Sequence, residues 1–240
     1  MVKNILKSEW SKFFSSNWCI WGTIFSILIA PLILSLSGNS QSLMTHEVLS
    51  ASLRNLFLSQ IGLVIVSASF WGQEYSHSYL RTTLLAVPSR TKLTLSKMIL
   101  LVFVVWVVGI VSSLICLGIG AIQYDSILTL HVILKFMSNV TIAMLSWTFI
   151  TCITVALTII FKSQIIPISI MFSLIIGLSQ VLMSITKIAK YLPDLATMNL
   201  FFTTDVPTLL SGYEGLLIQF IWALVLFLIA FWLIQYRDVR

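Results

Sequence analysis

The densest group of ionisable side chains in the sequence lies between Glu74 and Lys97, in the segment EYSHSYLRTTLLAVPSRTKLTLSK. This segment holds one of the eight acidic residues, one of the three histidines and four of the 14 basic residues. A basic group of this size could only fix the topology, or it could dock to a partner protein. Which of these applies depends on which helix faces carry the groups.

Helical spacing divides this segment into a polar and an apolar side. The polar side carries Glu74, His77 or Ser78, and Arg81, whereas the apolar side carries Leu80, Leu84 and Val87. Because a helix does not continue through Pro88, the chain is expected to turn there and run back towards Lys97. The pattern favours a short amphipathic helix lying across one face of the molecule. The alternative is a solvated basic loop that only fixes the topology.

The rest of the sequence offers few groups for catalysis. It contains no GxxxxGK[ST], HExxH or CxxC motif, so neither ATP binding nor a metal site is predicted in this chain. A lipid-modifying enzyme would need converging Asp, His or Ser side chains at one interface. His46, His77 and His131 fall on three different segments, which disfavours that alternative. We therefore expect that this chain is not an enzyme.

Polar side chains within the apolar runs form one short stripe. Thr151, Thr154 and Thr158 share a helical face, and Gln180 lies in the next apolar run. These residues are candidates for a substrate path or a subunit contact; alternatively, they bond to carbonyls one turn back or to a neighbouring helix. No ionisable residue falls at the centre of a run, which disfavours a proton-coupled transporter. Energy for uphill transport would then come from another subunit.

The composition indicates that membrane helices position these groups. Hydrophobic residues make up 58% of the 240 residues and charged residues only 9%, whereas soluble domains carry about 25% charged residues. Repeated apolar runs of about 20 residues predict an all-α polytopic membrane protein rather than a barrel of short alternating strands. The basic residues lie at the ends of these runs, as membrane topology requires, so the net charge of +6 does not indicate a nucleic-acid partner.

Six transmembrane spans are predicted within a single transmembrane domain of residues 1–240. The predicted spans are residues 18–37, 56–73, 98–122, 140–161, 164–185 and 216–235. Residues 1–17 are predicted to form an amphipathic interfacial helix, a pattern to which Lys3 and Glu9 are exceptions. A cleaved signal peptide is the alternative, but its apolar stretch would be unusually long.

The distribution of Lys and Arg predicts the orientation. With the amino terminus inside, ten of these residues lie on the cytoplasmic side and four outside, which favours both termini in the cytoplasm. The last outer segment, residues 186–215, mixes apolar stretches with Pro193 and Pro207. It is predicted to form one or two short re-entrant helices in the outer interface, and the alternative is an ordinary long loop.

Glu74 ends the second predicted span, the stretch LRTTLLAVPSR (Leu80–Arg90) provides a small-apolar-Pro-Ser-Arg turn, and Lys97 opens the third span. This arrangement resembles the ABC-2 type permease family. The interfacial helix, the six spans and the segment before the last span extend the resemblance over the whole chain. Members of similar size include permeases of bacterial peptide-antibiotic and lantibiotic exporters and immunity systems. Many members carry Gly-Thr soon after the glutamate, where this chain has Ser78-Tyr79.

The resemblance implies that Tyr75–Val87 is a cytoplasmic coupling helix that binds a separate ABC ATPase. Arg81 would be a polar anchor, Leu80 and Leu84 would fill a pocket, and Glu74 would lie at the hinge with the second span. The implied coupling residues are Glu74, Tyr75, Ser78, Leu80, Arg81, Leu84 and Arg90. Two ATPase subunits would bind ATP and magnesium, and no cofactor is expected in this chain. A second permease, either identical or a related paralogue, would complete the transporter.

By the same resemblance, the expected function is that of a permease subunit in the bacterial cell membrane. It would export a peptide antibiotic, a lantibiotic or a hydrophobic drug, and so contribute to antibiotic resistance or lantibiotic immunity. The alternative is a non-transporting membrane sensor or an assembly partner of an ATPase complex, because docking and transport would use the same basic segment.

Overall fold

The computed structural model describes residues 2–37, 45–86, 89–123, 130–202 and 206–236. Helices fill most of these ranges, and no strand occurs within them. In chain order the α-helices are α1 (Val2–Ser15), α2 (Asn17–Leu36), α3 (Thr45–Gly72), α4 (Tyr79–Ala86), α5 (Arg90–Gln123), α6 (Leu130–Phe161), α7 (Ile165–Ser173), α8 (Ser179–Ile185) and α9 (Gly212–Tyr236). A 3₁₀ turn, Gln73–Ser78, joins α3 to α4.

Within the described part of the chain, six helical stretches are long and apolar enough to cross a membrane. They are Asn17–Leu36, Ser50–Ser76, Arg90–Ile122, Ile133–Phe161, Ile165–Ile185 and Gly212–Tyr236. The predicted all-α polytopic membrane architecture is thereby confirmed. Helices α3, α5 and α6 are longer than the predicted spans of residues 56–73, 98–122 and 140–161, because each helix continues through polar residues beyond its apolar run.

Helix α3 lies at the centre of the bundle and packs against α2, α5 and α6. In its most apolar stretch 83% of the residues are buried, against 17% in α9, which lies at the periphery. Large side chains such as Phe70, Trp71 and Trp147 are almost completely enclosed and form the core between these helices. Since every span can expose apolar side chains to lipid, close packing of small and large groups decides which helices become central.

The closest helix crossing joins α2 to α3 at two glycines. A Cβ atom on Gly62 would lie 2.6 Å from the carbonyl oxygen of Gly22, so only a glycine permits this approach. Next to the crossing, Ser26 Oγ donates a hydrogen bond to the Ser59 carbonyl. This contact fixes α2 on the central helix.

The fifth span is interrupted. A π-helical turn, Leu174–Leu178, separates α7 from α8, and Gly177 within it has a φ of 151°, a conformation that a residue with a Cβ rarely adopts. A span broken in this way provides a bending point. The break lies one residue before Ser179, the first residue of α8.

The connection between α8 and α9, residues 186–202 and 206–211 in the described chain, contains two 3₁₀ turns, Lys187–Tyr191 and Met198–Phe201. The sequence predicted one or two short re-entrant helices in this segment, and the structure contains these two short 3₁₀ turns. Residues 193–197 are buried against the bundle. Asn199 orders the rest, because its Nδ2 donates to the Leu210 carbonyl at 2.8 Å and its Oδ1 accepts from the Val206 amide at 3.1 Å.

Candidate functional site

Four ionisable residues that are distant in the sequence meet at the end of the bundle where α1 lies. Glu9 and Lys12 are on α1, Glu74 is in the turn after α3, and Lys97 is on α5; we call these four the ion-pair cluster. Lys97 Nζ lies 2.9 Å from Glu9 Oε2 and 3.1 Å from Glu74 Oε1. Lys12 Nζ lies 2.9 Å from Glu9 Oε1 and 3.0 Å from Glu74 Oε1. Two cations therefore bridge two anions, and the formal charges cancel.

Three members of the cluster are almost inaccessible to solvent. The side chains of Glu9 and Lys97 are each 1% exposed and that of Glu74 is 3% exposed, whereas Lys12 is 37% exposed. Lys97 Nζ also donates to the Phe70 carbonyl at 3.2 Å and lies 4.0 Å from the centroid of the Phe70 ring. A buried charge that loses its partner is strongly destabilising, so the burial of each of these side chains depends on the others.

Helix α4 is attached to the cluster through Thr83. Its hydroxyl donates to Glu74 Oε2 at 2.8 Å and accepts from Lys12 Nζ at 3.3 Å. The short helix that follows the second span is thereby bonded to both α1 and the end of α3. A displacement of α4 would act directly on a buried network that also holds α5.

Lys12 is the member of the cluster closest to solvent. Its burial by itself would lower the pKa, but hydrogen bonds and Coulombic attraction from Glu9 and Glu74 raise the pKa above the ordinary value of 10.5. Lys12 therefore stays cationic at neutral pH and bridges Glu9 and Glu74 throughout the physiological range.

Helix α1 presents Glu9 to the cluster because of its helical spacing. Ile5, Glu9 and Phe13 follow one another at intervals of four, lie on one face and are all buried. The Phe13 ring packs edge-on against Phe70 with centroids 5.5 Å apart, which seats α1 on α3. The acidic residue on the apolar side of α1 therefore points inward to Lys97.

A family model described as "ABC-2 family transporter protein" matches residues 5–180, more than half of the chain. The matched region contains the whole ion-pair cluster and α4. This chain belongs to the ABC-2 transporter family. A search of curated proteins found no match. As an ABC-2 permease, the chain is of the class of membrane subunits that carry out transport, and members of this family typically work with an ABC ATPase.

The structure places six of the seven predicted coupling residues of this ABC-2 permease in two adjoining elements. Glu74, Tyr75 and Ser78 lie in the turn after α3, and Leu80, Arg81 and Leu84 lie in α4. Tyr75 accepts a hydrogen bond from Trp71 Nε1 at 3.4 Å, and Leu84 is half-buried. The side chains of Ser78, Leu80 and Arg81, and the predicted end of the helix at Val87 and Pro88, lie outside the described residues.

Arg90, the last predicted coupling residue, begins α5 and bonds within the permease. Its guanidinium donates to the carbonyls of Ile234 and, at 3.1 Å, Gln235 near the end of α9. A cation at a helix carboxyl end satisfies carbonyls that have no partner in the helix. Arg90 thus ties the sixth span to the third on the side of the ion-pair cluster.

The predicted polar path does not form one surface in this conformation. Thr151, Thr154 and Thr158 are fully buried inside the bundle, whereas Gln180 is exposed on α8. Thr154 and Thr158 each donate to a carbonyl one turn back at 2.8 Å. Thr151 Oγ1 has no hydrogen-bond partner among the described residues, although it is fully enclosed.

An apolar cavity of about 520 Å³ opens between α5, α6 and α9. Its lining includes Met98, Cys152, Ala223 and Phe227. The two threonines that line it do not make it polar, because Thr94 donates its hydroxyl to the Arg90 carbonyl at 2.9 Å and the Thr91 hydroxyl is hydrogen bonded to Ser89 Oγ at 2.9 Å. A cavity with almost no polar lining accommodates hydrocarbon rather than a hydrogen-bonding group.

Sequence reasoning identified Glu74 and Lys97 but missed Glu9, Lys12 and Thr83. One signal was present: Glu9 departs from the amphipathic pattern of α1, and a charge on an apolar helix face requires a partner. The helical pattern of α1 could not identify that partner, because Lys97 lies 88 positions later in the sequence (97 − 9).

Proposed function

We propose that this chain is the permease subunit of a bacterial ABC exporter and that a separate ATPase drives it through α4. The observation that carries the proposal is the ion-pair cluster, which bonds α4 to α1, α3 and α5 through buried charges. Coupling between a docking element and membrane helices needs such a contiguous physical connection. Membership of the ABC-2 family indicates that the chain is a transport subunit. The bonds of the cluster would carry a displacement of α4 to the membrane helices.

The surface of α4 supports docking to another protein. Leu85 is 80% exposed and Tyr79 is 54% exposed, although both are large and apolar in character and lie outside the six spans. Exposed apolar groups beside polar ones are typical of an interaction site. In this proposal Tyr75, Ser78, Leu80, Arg81 and Leu84 form the contact surface, and Glu74 links it to the cluster.

The excess of Lys and Arg in the short loops supports an orientation with both termini, α1 and α4 in the cytoplasm. This orientation would place α4 where an ATPase can reach it. Two ATPase subunits would bind ATP and magnesium, and two permeases, identical or paralogous, would enclose the path. Closure of the ATPases would push on α4, and the cluster would pass that displacement to α1, α3 and α5 together.

The cargo in this proposal is a peptide antibiotic, a lantibiotic or a hydrophobic drug, exported to give resistance or immunity. The similarity in size and layout to such permeases supports the assignment, and the apolar cavity between α5, α6 and α9 is compatible with a hydrophobic cargo. The competing function is a membrane sensor or assembly partner that docks to an ATPase without moving a substrate.

Copurification with the ABC ATPase encoded nearest to this chain tests the docking surface. We expect Leu84→Asp, Leu85→Asp and Arg81→Glu to lose binding and the stimulation of ATP hydrolysis, because each alters the proposed contact. Ile188→Asp is the matched control: Ile188 is 75% exposed but lies in the α8–α9 connection, so its variant should bind normally. Normal binding and stimulation by all three α4 variants would contradict the proposal.

Efflux of candidate peptides from cells distinguishes transport from sensing. Deletion of a permease should increase sensitivity to its cargo and abolish efflux, whereas loss of a sensor would leave efflux unchanged. If binding depends on α4 but no efflux depends on this chain, the docking assignment stands and the sensor function replaces the permease function.

A further inference from the structure

A third buried acid lies at the opposite end of the bundle from the ion-pair cluster, in the α8–α9 connection. Asp194 is only 1% exposed, although its segment is not a regular helix. Ser179 Oγ, on α8, is hydrogen bonded to Asp194 Oδ2. Asp194 Oδ1 has no hydrogen-bond partner among the described residues. A buried carboxylate normally has a cationic partner, so a buried acid with one unbonded oxygen requires an explanation.

Other polar side chains tie two more helices to the connection around Asp194. Thr197 Oγ1 accepts from Ser146 Oγ of α6 at 3.1 Å and from Gln219 Nε2 of α9 at 3.3 Å. Gln219 Nε2 also donates to the Pro193 carbonyl at 2.9 Å. Helices α6, α8 and α9 therefore meet the connection at one polar cluster, which consists of Ser146, Ser179, Asp194, Thr197 and Gln219.

No cation neutralises Asp194 in the part of the chain that the structure describes. At this end of the elements packed against it, the described charged groups and tyrosines are Arg54 on α3, His131 and Lys135 on α6, Lys187, Lys190 and Tyr191 in the connection, and Tyr213 and Glu214 on α9. All are exposed except Lys190, which is half-buried with its ammonium 5.1 Å from the Tyr191 ring centroid. No described ion pair joins any of them to Asp194.

The hydrogen bonds around Ser179 can all be made only if Asp194 carries a proton. Ser179 Oγ lies 2.8 Å from the Leu174 carbonyl as well as being bonded to Asp194 Oδ2, and a hydroxyl has one proton to donate. An ionised Asp194 would compete with Leu174 for that proton. A protonated Asp194 would donate to Ser179 Oγ, and Ser179 would donate to Leu174.

The burial of Asp194 also favours its protonated form. Burial raises the pKa of Asp194 above its ordinary value, although the Ser179 hydroxyl and the backbone amides of Asp194 and Leu195 favour the ionised form. The ion-pair cluster shows the contrast, because there each buried glutamate has two lysine partners.

We infer that Asp194 is a proton-binding site that holds the α8–α9 connection against α8. The neutral carboxyl donates to Ser179, next to the π-helical break at Gly177, and stabilises the packed arrangement. Loss of the proton leaves a buried, unpaired charge and favours release of the connection. Because the break is a bending point, release would allow α8 to move relative to α7.

The direction of the pH dependence follows from proton linkage. The packed connection binds the proton more tightly than an open connection, in which Asp194 would be hydrated. Packing is therefore favoured at low pH and loses stability as the pH rises from the ordinary Asp pKa to the raised one. If the orientation proposed above is correct, this site lies on the extracellular side and responds to external pH. The protonation itself is a property of the permease alone.

Infrared difference spectroscopy of the purified permease in lipid nanodiscs tests the protonation. At about pH 6, where an exposed aspartate is almost fully ionised, we expect the carbonyl stretch of a protonated carboxyl. Asp194→Asn should remove this band, and Glu214→Gln, which alters an exposed acid on α9, should leave it. Ser179→Ala should shift its frequency, because the acid loses its acceptor. Absence of the band, or its survival in Asp194→Asn, would overturn the inference.

Thiol labelling tests the conformational consequence without the ATPase. With Cys19, Cys116 and Cys152 replaced by alanine, the buried Leu195→Cys and the exposed Ser211→Cys would be labelled with a membrane-impermeant maleimide. We expect the ratio of the two rates to rise severalfold with pH when Asp194 is present and to stay constant in Asp194→Asn. A ratio independent of pH in both backgrounds would refute the coupling. Neither experiment requires docking at α4, so failure of the proposed function would not affect them.

Discussion

At the scale of single residues, Lys97 is the side chain whose burial depends most on its partners. It is 1% exposed, contacts both buried glutamates and lies over the Phe70 ring. The desolvation of an ammonium costs several kcal/mol, and only complete pairing offsets that cost. Lys97 is therefore better understood as the centre of a network than as a topological signal at the start of a span.

Replacement of Lys97 by methionine should destabilise the permease. Two buried carboxylates would then share only the half-exposed Lys12, and we expect a loss of about 3–5 kcal/mol in the free energy of unfolding. Denaturant unfolding in detergent micelles would measure it. Lys92→Met, at an exposed position of the same helix, should change stability by less than about 0.5 kcal/mol.

The companion variant Glu9→Gln should recover part of the loss when combined with Lys97→Met, because it removes one of the uncompensated charges. If Lys97→Met is as stable as Lys92→Met, the cluster does not hold the charges in the way its geometry indicates.

At the scale of elements, α4 is the smallest helix in contact with the cluster and the one best placed to move it. Its eight residues have only a short apolar face of their own, and Thr83 supplies its bonds to Glu74 and Lys12. A helix this short is marginal in isolation. Its position therefore depends on those bonds.

Replacement of Thr83 by valine should weaken transmission while preserving docking. The change removes the hydroxyl that joins α4 to the cluster, and couplings of this kind are about 0.5–2 kcal/mol, or roughly twofold to thirtyfold in stimulated ATP hydrolysis. Thr82→Val is the neighbouring control, because Thr82 is exposed and, among the described residues, its hydroxyl bonds to the Tyr79 carbonyl rather than to the cluster.

Reconstituted permease and ATPase would separate the two effects. Copurification should be equal for both variants, and only Thr83→Val should reduce stimulation. Equal stimulation by the two variants would show that the force travels through α4 by another route.

At the scale of the whole molecule, the six spans are held together by shape rather than by hydrophobicity, because lipid is as apolar as the core. The α2–α3 crossing at Gly22 and Gly62 gives the clearest case. A methyl group at position 62 would lie 2.6 Å from the Gly22 carbonyl oxygen and 2.8 Å from Ser26 Cα, and a backbone cannot move aside as a flexible side chain can.

Gly62→Ala should separate α2 from α3 and lower stability by about 1–3 kcal/mol, the usual effect of overpacking. Gly118→Ala is its control on α5, because a Cβ there meets nothing within 4 Å, and the better helix former should stabilise by up to about 1 kcal/mol. Thermal unfolding followed by size-exclusion chromatography would compare them. Equal effects of the two alanines would contradict the importance of the crossing.

The parts of this fold that could be predicted from the sequence are those that depend on local properties. A run of about 20 apolar residues requires a helix in lipid whatever it packs against, so the six spans were predictable. The partners of Glu9 were not, because Glu74 and Lys97 reach it only through packing of α1 on α3 and α5. Asp194 was equally hidden: in PDLAT it has the sequence environment of a surface turn, and its burial results from contacts with α6, α8 and α9.

The ion-pair cluster also constrains how the protein can be made. Synthesis proceeds from the amino terminus, so Glu9 and Lys12 leave the ribosome long before Lys97, which is 88 positions behind Glu9 (97 − 9). Until the third span begins to emerge, Glu9 lacks its buried partner Lys97 and can pair only with the partly exposed Lys12. Final seating of the first helix therefore waits for the third span, although the first helix is synthesised before any of the spans.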